Sequence, residues 1–394
     1  MRILALFLAL SSFALPCFAQ DARSLHRDAL VFDAHLHMIN RQLYHGGDIG
    51  QRVDNGQMDL PRAKEGGLDG MFFTVYVNEQ YYPGHLEVKQ TVRLLELARK
   101  QIENNKDKIA LAYTASDVER IAKGGRIAAV LDLEGGFDMD GDLNVLGALY
   151  RLGLRVAQLP AHNWSNNFAE SCCAAPKFKG LNEHGRAVVR EMNRLGMVIN
   201  VSHASDATIE QVLEVSTDPV MATHHGLRSF NDIPRTMSES LLKKLAAKGG
   251  VIGFHMGCEF HNRPFFEYRT KQAGRAFWDT HDIGKKEAEL SIFDIDKVVG
   301  RSYPMVGIDA PESLKLSVDE WFKVVDRAIE VAGEDHVALG TDLDGGPTLP
   351  RGMRDVRDLG MLTEAMLRRG YSEKRIRKFL GENTLRVLRQ VTER

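Results

Sequence analysis

Two histidines separated by one residue follow an apolar run near the start of the chain, and their spacing is that of a metal site. His35 and His37 come just after the apolar stretch 29–32. If this stretch continues as a strand, alternation sends both imidazoles to one face, where their nitrogens can converge on a single ion. Such a pair also arises on ordinary polar strand faces, so the prediction depends on the rest of the chain.

Four more residues that bind metals or carry protons stand where an apolar run ends. They are Glu134, His203, His224 and Asp342. The carboxyl ends of parallel barrel strands meet at one face, so we expect these side chains to join the histidine pair there. Four histidines and a carboxylate exceed the ligands of one open zinc site, which favours two ions and a bridging water. Zinc suits these donors, with cobalt, manganese or nickel as substitutes. Asp342 would accept the proton of the water.

The elements that must position these residues alternate along the chain. Eight short apolar segments, separated by amphipathic ones, predict strands near 29–33, 70–77, 126–133, 153–160, 196–202, 219–223, 249–256 and 336–341. This alternation is typical of parallel strands joined by helices, and eight strands predict a closed (β/α)8 TIM-type barrel of the α/β class. We expect one metallohydrolase domain over 20–394, in which the longer and more polar segment 257–320 forms an insertion or lid.

The first residues predict a secretory signal peptide. Arg2 precedes an apolar stretch over 3–15, and residues 17–19 end in the small residue that cleavage requires. We therefore expect a signal peptide over 1–19 and a periplasmic or secreted protein. No other stretch has the roughly 18 apolar residues that a membrane span needs, so we expect no transmembrane segment.

Charge and cysteines limit the partners and the covalent framework. A net charge of -2 and a pI near 6.7 provide no field for nucleic acid or for an anionic membrane. Once Cys17 is removed, three cysteines remain. Cys172 and Cys173 are adjacent and poorly placed to bond each other, but one of them can pair with Cys258 in an exported protein.

Several segments of the chain resemble the renal-type (membrane) dipeptidases of peptidase family M19, within the amidohydrolase superfamily. They cover 59–62, 72–77, 132–136, 189–197, 202–205, 234–235 and 340–345. The Glu-Met-Asn-Arg-Leu-Gly run at 191–196 and the Gly-x-Asp-x-Asp-Gly turn at 340–345 are the most specific of these. The resemblance extends over nearly the whole mature chain and implies a zinc-dependent dipeptidase that acts on small-molecule dipeptides as a homodimer.

The resemblance also implies a ligand set for two zinc ions. His35 and His37 match the residues that hold the first ion, Glu134 matches the carboxylate that bridges, and His203 and His224 match the ligands of the second. Zinc in such a site activates water and polarises carbonyl groups.

Three more positions match residues that handle the substrate. His162 matches the histidine that polarises the scissile carbonyl and steadies the oxyanion, and Asp342 matches the aspartate that shuttles the proton. Arg235 matches the arginine that binds the substrate, where a planar guanidinium suits a free C-terminal carboxylate.

Two positions depart from the family. The family has an aspartate where this chain has His37, so the first metal position loses a negative charge. A serine of the family is replaced by His225, directly after His224. Neighbouring strand residues point in opposite directions, so only one of the two can enter the site, and alignment favours His224.

Two other functions remain as alternatives. The same barrel can hydrolyse an N-acyl amino acid, a lactam or another small amide, and the His37 departure keeps that reading open. The other alternative is a non-catalytic periplasmic protein that binds metal or peptide, although such a protein has no need of a proton shuttle at Asp342. An Asp342→Asn substitution should abolish turnover in an enzyme and change little in a binding protein.

Overall fold

The computed structural model describes residues 22–54, 56–77, 82, 85–273, 291–302 and 307–394. The predicted signal peptide, 1–19, lies outside the described residues. So do 274–290 and 303–306 of the predicted insertion. Within the described part of the chain, no helix has the length and apolar character to cross a membrane.

Parallel strands form one sheet that curls into a barrel. In the described residues they are β1 Phe32–His37, β2 Gly70–Val77, β3 Ile109–Leu111, β4 Ile127–Gly135, β5 Val156–Gln158, β6 Val198–Asn200, β7 Met221–Leu227, β8 Thr236–Met237, β9 Val251–Phe254 and β10 Val337–Leu339. The barrel order is β1-β2-β4-β5-β6-β7-β9-β10, with β3 beside β4 and β8 beside β7. The eight strands of this path correspond to the eight predicted segments, and the predicted TIM-type barrel is confirmed.

Helices cover the outside of the sheet and connect its strands. A first helix covers 22–28. The helices that follow in the described residues are Ile39–His45, Leu60–Glu65, Leu86–Asn104, Ala115–Lys123, Leu143–Arg151, Glu183–Leu195, Asp206–Val215, Glu239–Ala247, Arg263–Ala273, Ile292–Ser302, Val318–Ala332, Gly360–Arg368, Glu373–Arg377 and Asn383–Thr392. Many begin at a polar residue whose side chain accepts from the backbone N–H three residues later, as Ser205 does from Thr208.

At the end of the barrel away from the carboxyl ends of the strands, the interior is filled by a packed apolar core. Each of the eight barrel strands contributes a buried side chain to it: Phe32, Phe72, Val130, Val156, Val198, Met221, Val251 and Ala338. The helix Asn383–Thr392 packs against β1, β6, β9 and β10 and adds its own apolar side chains to this cluster. That end is therefore sealed, and the carboxyl ends of the strands are left as the open face.

The barrel closes where β1 meets the segment that follows β10. The Asp342 backbone N–H donates to the His35 carbonyl at 2.9 Å, and the His37 N–H donates to the Leu343 carbonyl at 2.9 Å. Closure thus places Asp342 directly beside the two histidines. The first strand was predicted near 29–33, but pairing with β2 begins only at Phe32 and continues through His37. The observed strand therefore begins and ends later in the chain than the predicted one.

The three cysteines of the described chain are free thiols. Cys258 is buried in a small apolar cluster with Phe265 and Ala310. The Sγ atoms of Cys172 and Cys173 lie 2.6 Å apart, and the Cys172 N–H donates to the His203 carbonyl. The predicted bridge between Cys258 and one of the adjacent cysteines is therefore wrong for this structure.

Candidate active site

A bulge in β1 turns the first histidine pair into the barrel. Phe32 is paired with Gly70 and His37 with Thr74, so β1 contains one residue more than β2 between these pairs. Phe32 faces the packed interior at the start of the strand. The extra residue changes the alternation, so His35 and His37 point inward after the bulge.

A second bulge decides between the adjacent histidines of β7. Met221 faces the packed interior, and unbroken alternation from it would send His225 inward. The register shifts between Ala222 and His225. His225 is paired with Phe254, which packs in a second apolar core, between the sheet and the surrounding helices. His224 is consequently the histidine that enters the site.

Glu134, at the end of β4, lies between two groups of imidazoles and presents one oxygen to each. Its Oε2 is 3.3 Å from His35 Nε2 and 3.0 Å from His37 Nε2. Its Oε1 is 2.9 Å from His203 Nε2 and 3.5 Å from His224 Nε2. We call the group with His35 and His37 the first half of the site and the group with His203 and His224 the second half.

The spacing within each half fits a metal ion. The two Nε2 atoms are 3.2 Å apart in the first half and 3.0 Å apart in the second. For a tetrahedral zinc ion with ligands at about 2.0–2.1 Å, neighbouring donors stand about 3.3–3.4 Å apart. Both groups therefore have donor types and separations that suit such an ion.

The electrostatics of the first half also favour a bound cation. Burial by itself would lower the pKa of His35 and His37, but the neighbouring carboxylates raise these pKa values to about 10 and about 9. The carboxylates concerned include Glu134 and Asp342. The cluster thus favours a positive charge between its donor atoms, which is what a divalent cation supplies.

The outer nitrogens of three of the four histidines contact polar groups. Thr223 Oγ1 is 3.2 Å from His35 Nδ1 and 3.1 Å from His224 Nδ1. Asn163 Oδ1 is 2.9 Å from His203 Nδ1. Such contacts fix the ring orientation and the tautomer of a ligating histidine.

The fourth histidine differs. His37 Nδ1 is buried and has no hydrogen-bond partner among the described residues. His35, by contrast, has a second neighbour, since Asp132 Oδ2 is 3.4 Å from its Nδ1. His37, which departs from the family pattern, is thus the histidine whose outer nitrogen has no hydrogen-bond partner among the described residues.

Asp342 lies in the first half with its two oxygens in different surroundings. Oδ1 is 3.1 Å from His37 Nε2, and Oδ2 is 2.8 Å from His255 Nε2. Burial would raise the pKa of Asp342, but the hydrogen bonds with His255 and His37 hold this pKa well below its usual range. The side chain is therefore an anion beside the first donor group.

His162 faces the second half as a neutral imidazole. Its Nε2 is 3.6 Å from Glu134 Oε1, and its Nδ1 is 3.3 Å from the Tyr76 hydroxyl. Burial is the main cause that lowers the pKa of His162 to about 4. When the tyrosine hydroxyl donates to Nδ1, Nε2 carries the one ring proton and can donate it toward the site.

Arg235 brings a buried cation to the second half. Its Nη2 donates to the His224 carbonyl at 3.3 Å, and its guanidinium lies over the Phe260 ring at 5.1 Å. Only 9% of the residue is exposed, and within the described structure Nη1 has no hydrogen-bond partner. A buried guanidinium with a free N–H group is suited to bind an anionic group of a ligand.

Three of these residues have left-handed backbone conformations that non-glycine residues rarely adopt. The φ angles are 46° at His162, 64° at His203 and 62° at Asp342. Strain of this kind persists only where surrounding contacts impose it, and it is common at functional sites. Here it falls on side chains that point into one pocket from three different strand ends.

The structure thus brings together all eight side chains that the sequence singled out. Sequence reasoning missed Tyr76, Asp132, Asn163 and Thr223, which contact these side chains from behind, and it did not predict the contact of His255 with Asp342. Asn163 and Thr223 are direct sequence neighbours of predicted site residues, which was the available clue. His255 lies near the end of the predicted strand 249–256, which made it a candidate to line the site, but it has no motif around it.

Histidines and carboxylates that are arranged to hold metal ions at the carboxyl end of a TIM-type barrel are typical of a metal-dependent hydrolase. The sequence model of the membrane dipeptidase family, peptidase family M19, matches residues 19–394. The chain therefore belongs to this family, and the predicted class, a metallo-dipeptidase, is confirmed.

Curated relatives agree with this assignment. The chain is 29% identical over 349 residues to dipeptidase tcpJ of Claviceps purpurea, covering 86% of this chain and 70% of the relative. It is 28% identical over 395 residues to dipeptidase 3 of Mus musculus, covering 96% of this chain and 68% of the relative.

Solved structures share the fold. The probable dipeptidase PvdM of Pseudomonas aeruginosa aligns with a TM-score of 0.77 at 23% identity, over 96% of this chain and 99% of that chain. A metallo peptidase of Rhodobacter sphaeroides, solved with a phosphinate mimic of the dipeptide L-Ala-D-Ala, aligns with a TM-score of 0.71 at 24% identity. That alignment covers 92% of this chain and 99% of the other.

Proposed function

We propose that this metallo-dipeptidase uses two zinc ions to hydrolyse dipeptides that carry a free C-terminal carboxylate. The observation that carries the proposal is the buried Arg235 guanidinium, whose Nη1 has no hydrogen-bond partner among the described residues. Its Nη2 donates to the carbonyl of His224, one of the imidazoles around the shared Glu134 carboxylate. A dipeptide has its carboxylate within one residue of its scissile bond, so a cation that adjoins the backbone of His224 suits recognition of this anion.

The ligand roles follow from the two donor groups. His35 and His37 would hold the first ion, His203 and His224 the second, and Glu134 would bridge them through its two oxygens. Zinc at these positions would supply a water activated for attack at neutral pH and would polarise the scissile carbonyl. Other divalent ions that accept imidazole and carboxylate ligands are substitutes.

The chain's own side chains would handle the proton and the carbonyl. Asp342, an anion in the first half, would accept the proton released by the attacking water and deliver it to the leaving nitrogen. His162, neutral and held by Tyr76, would donate a hydrogen bond from Nε2 to the carbonyl oxygen as negative charge develops there, and would keep its proton. Arg235 would hold the substrate carboxylate.

The ligand of the Rhodobacter sphaeroides structure extends the substrate class. Because a mimic of L-Ala-D-Ala binds that relative, we include L,D-dipeptides with L,L-dipeptides among the proposed substrates. We also propose that the mature enzyme is exported, since the first 19 residues have the composition of a signal peptide.

A substrate panel tests the proposal. The purified mature chain, with zinc supplied or chelated, is given L,L- and L,D-dipeptides, the same dipeptides as C-terminal amides, and N-acetyl amino acids. We expect zinc-dependent release of amino acids from the free dipeptides, with the amides cleaved far more slowly. Inductively coupled plasma mass spectrometry should find two zinc ions per active chain.

Substitution of Arg235 provides the specific test of carboxylate recognition. Arg235→Leu should raise KM for the free dipeptide and remove the preference over the amide, whereas the exposed Arg354→Leu should leave both unchanged. Cleavage of N-acetyl amino acids alone would replace the dipeptidase proposal with the acyl-amino-acid amidohydrolase, and no cleavage of any amide by metal-loaded protein would favour a binding protein.

A further inference from the structure

His255, directly after β9, has a single tautomer that its contacts determine. The Gly257 backbone N–H donates to its Nδ1 at 2.7 Å, so Nδ1 is an acceptor and carries no proton. The ring proton of the neutral side chain is then on Nε2, which lies 2.8 Å from Asp342 Oδ2. His255 therefore donates a hydrogen bond to the proposed proton acceptor.

The ring of His255 is also fixed in space. It stacks on Phe260 with ring centroids 3.7 Å apart and an interplanar angle of 15°. Its backbone carbonyl accepts from Trp321 Nε1 at 2.9 Å and from His261 Nε2 at 2.7 Å, and the residue is 2% exposed. A donor held by contacts on this many sides can define the orientation of the group that it bonds.

The hydrogen bond makes the two oxygens of Asp342 unequal. Oδ2 is occupied by His255, whereas Oδ1 is turned toward His37 Nε2 at 3.1 Å, in the first half of the site. The contact with His255 therefore leaves Oδ1 as the oxygen that faces the first half.

We propose that His255 is a positioning residue for the hydrolysis reaction, holding the Asp342 carboxylate so that Oδ1 accepts the proton. This inference rests on the proposed function. His255 does not relay that proton to solvent, because the Gly257 N–H occupies Nδ1 and leaves no acceptor site at the far side of the ring. Its only role in the reaction is therefore to orient Asp342.

Two substitutions separate orientation from packing. In His255→Phe an aromatic ring is kept against Phe260 and the donor is lost. In His255→Gln the side-chain amide Nε2 can donate from near the position of the imidazole Nε2. We expect His255→Phe to lower kcat by about 10–100-fold, with KM within about threefold and metal content unchanged. His255→Gln should recover kcat to within about fivefold of the wild type.

Gly257→Ala provides an independent test that retains the imidazole but displaces it. A Cβ at position 257 would stand 2.5 Å from His255 Cε1, so the ring must shift. We expect kcat to fall in this variant as it does in His255→Phe. The exposed His45→Phe and His45→Gln are the matched controls and should behave as the wild type.

A double-mutant cycle with Asp342→Asn makes the test specific. If His255 acts through Asp342, His255→Phe should lower kcat little further once Asp342 is replaced. The inference is overturned if His255→Phe keeps wild-type kcat, if His255→Gln falls as far as His255→Phe, if metal loss parallels the loss of activity, or if the two effects multiply.

The wild type distinguishes this inference from the proposed function. If the wild type cleaves only N-acetyl amino acids, the dipeptide proposal fails while the same variants and the same cycle are measured on that substrate. If it cleaves no amide at all, both proposals fail.

Discussion

The two halves of the site have similar inner donors but different support. In the second half, Asn163 and Thr223 contact the outer nitrogens of His203 and His224 at 2.9 and 3.1 Å. In the first half, His37 has no such partner among the described residues. The first half has Asp342 as an additional neighbour of its inner nitrogens, at 3.1 Å from His37 Nε2.

The difference teaches how each half achieves its geometry. The second half is a set of imidazoles oriented from behind by an amide and a hydroxyl, which suits a position that must hold an ion in place. In the first half only His35 is contacted in this way, by Thr223 and Asp132. His37 instead faces carboxylates, and one of them, Asp342, is bonded by His255 at 2.8 Å. We infer that the second half serves mainly to bind its ion, and that the first half is where the proton moves.

Removal of the group that the halves share should have the largest effect. Glu134→Gln replaces a bridging anion with a neutral amide, in which one oxygen becomes an N–H donor facing two imidazoles. We expect both ions to bind much more weakly and kcat/KM to fall by about 10³-fold or more. Metal content after dialysis and dipeptide turnover are the measurements.

The outcome distinguishes a shared carboxylate from a one-sided ligand. If Glu134→Gln loses one ion and keeps the other at wild-type affinity, the two halves are independent and the bridging assignment is wrong. Glu103→Gln, on an exposed helix surface, is the matched control for the change from acid to amide and should keep both ions.

Asp342→Asn should separate proton transfer from metal binding. The amide keeps the shape of the side chain but cannot accept a proton, so we expect kcat to fall by about 10²–10⁴-fold while both ions are retained. Asp107→Asn, on the surface, is the control. Loss of one ion in step with activity would instead make Asp342 chiefly a ligand of the first half.

The fold was predictable from sequence because the barrel strands are nearly continuous apolar runs. Residues 127–133 and 251–254 show this pattern and became β4 and β9. The outer boundary of β1 was not predictable, because the helix that covers 22–28 and the pairing partner Gly70 decide where β1 begins. The local sequence pattern thus predicts whether a segment forms a strand, whereas tertiary contacts determine where that strand begins and how it pairs.

The convergence of the site residues was also predictable, but the way they enter the barrel was not. Simple alternation from Met221 would select His225, and the bulge in β7 selects His224 instead. A bulge leaves no clear trace in the local sequence. The family resemblance supplied the choice that the alternation could not.

His255 shows the same limit for side-chain partners. It lies at the end of a predicted strand, yet only the fold reveals that Asp342 is its neighbour, 87 residues away in sequence. Motifs identify residues that recur at fixed spacing, whereas hydrogen bonds between distant strands depend on the closed barrel.

Asn163→Ala should weaken the second half alone. The substitution removes the acceptor for His203 Nδ1, and loss of such a partner typically lowers metal affinity by about 10–100-fold. We expect one of the two ions to become easier to chelate while the other keeps its affinity. Competition with a chromophoric chelator, followed as two separate steps, measures both.

Asn163→Asp is the matched variant, because it keeps an acceptor oxygen at the same position. It should retain the affinity of both ions. Equal weakening of the two steps in Asn163→Ala would contradict the division of the site into halves with separate support.

Thr223→Val should have the smallest effect and should reach both halves unequally. When His35 and His224 ligate through Nε2, both Nδ1 atoms carry protons, and Thr223 Oγ1 is the acceptor that they share. Valine keeps the shape of the side chain but has no acceptor. His35 still has Asp132 Oδ2 at 3.4 Å, whereas His224 Nδ1 has no other partner within the described part of the chain. We therefore expect the ion of the second half to weaken by up to about tenfold and that of the first half by less, with Thr223→Ser close to the wild type in the same chelator titration. A larger loss in the first half would mean that Asp132 does not support His35 and that the shared hydroxyl is its main partner.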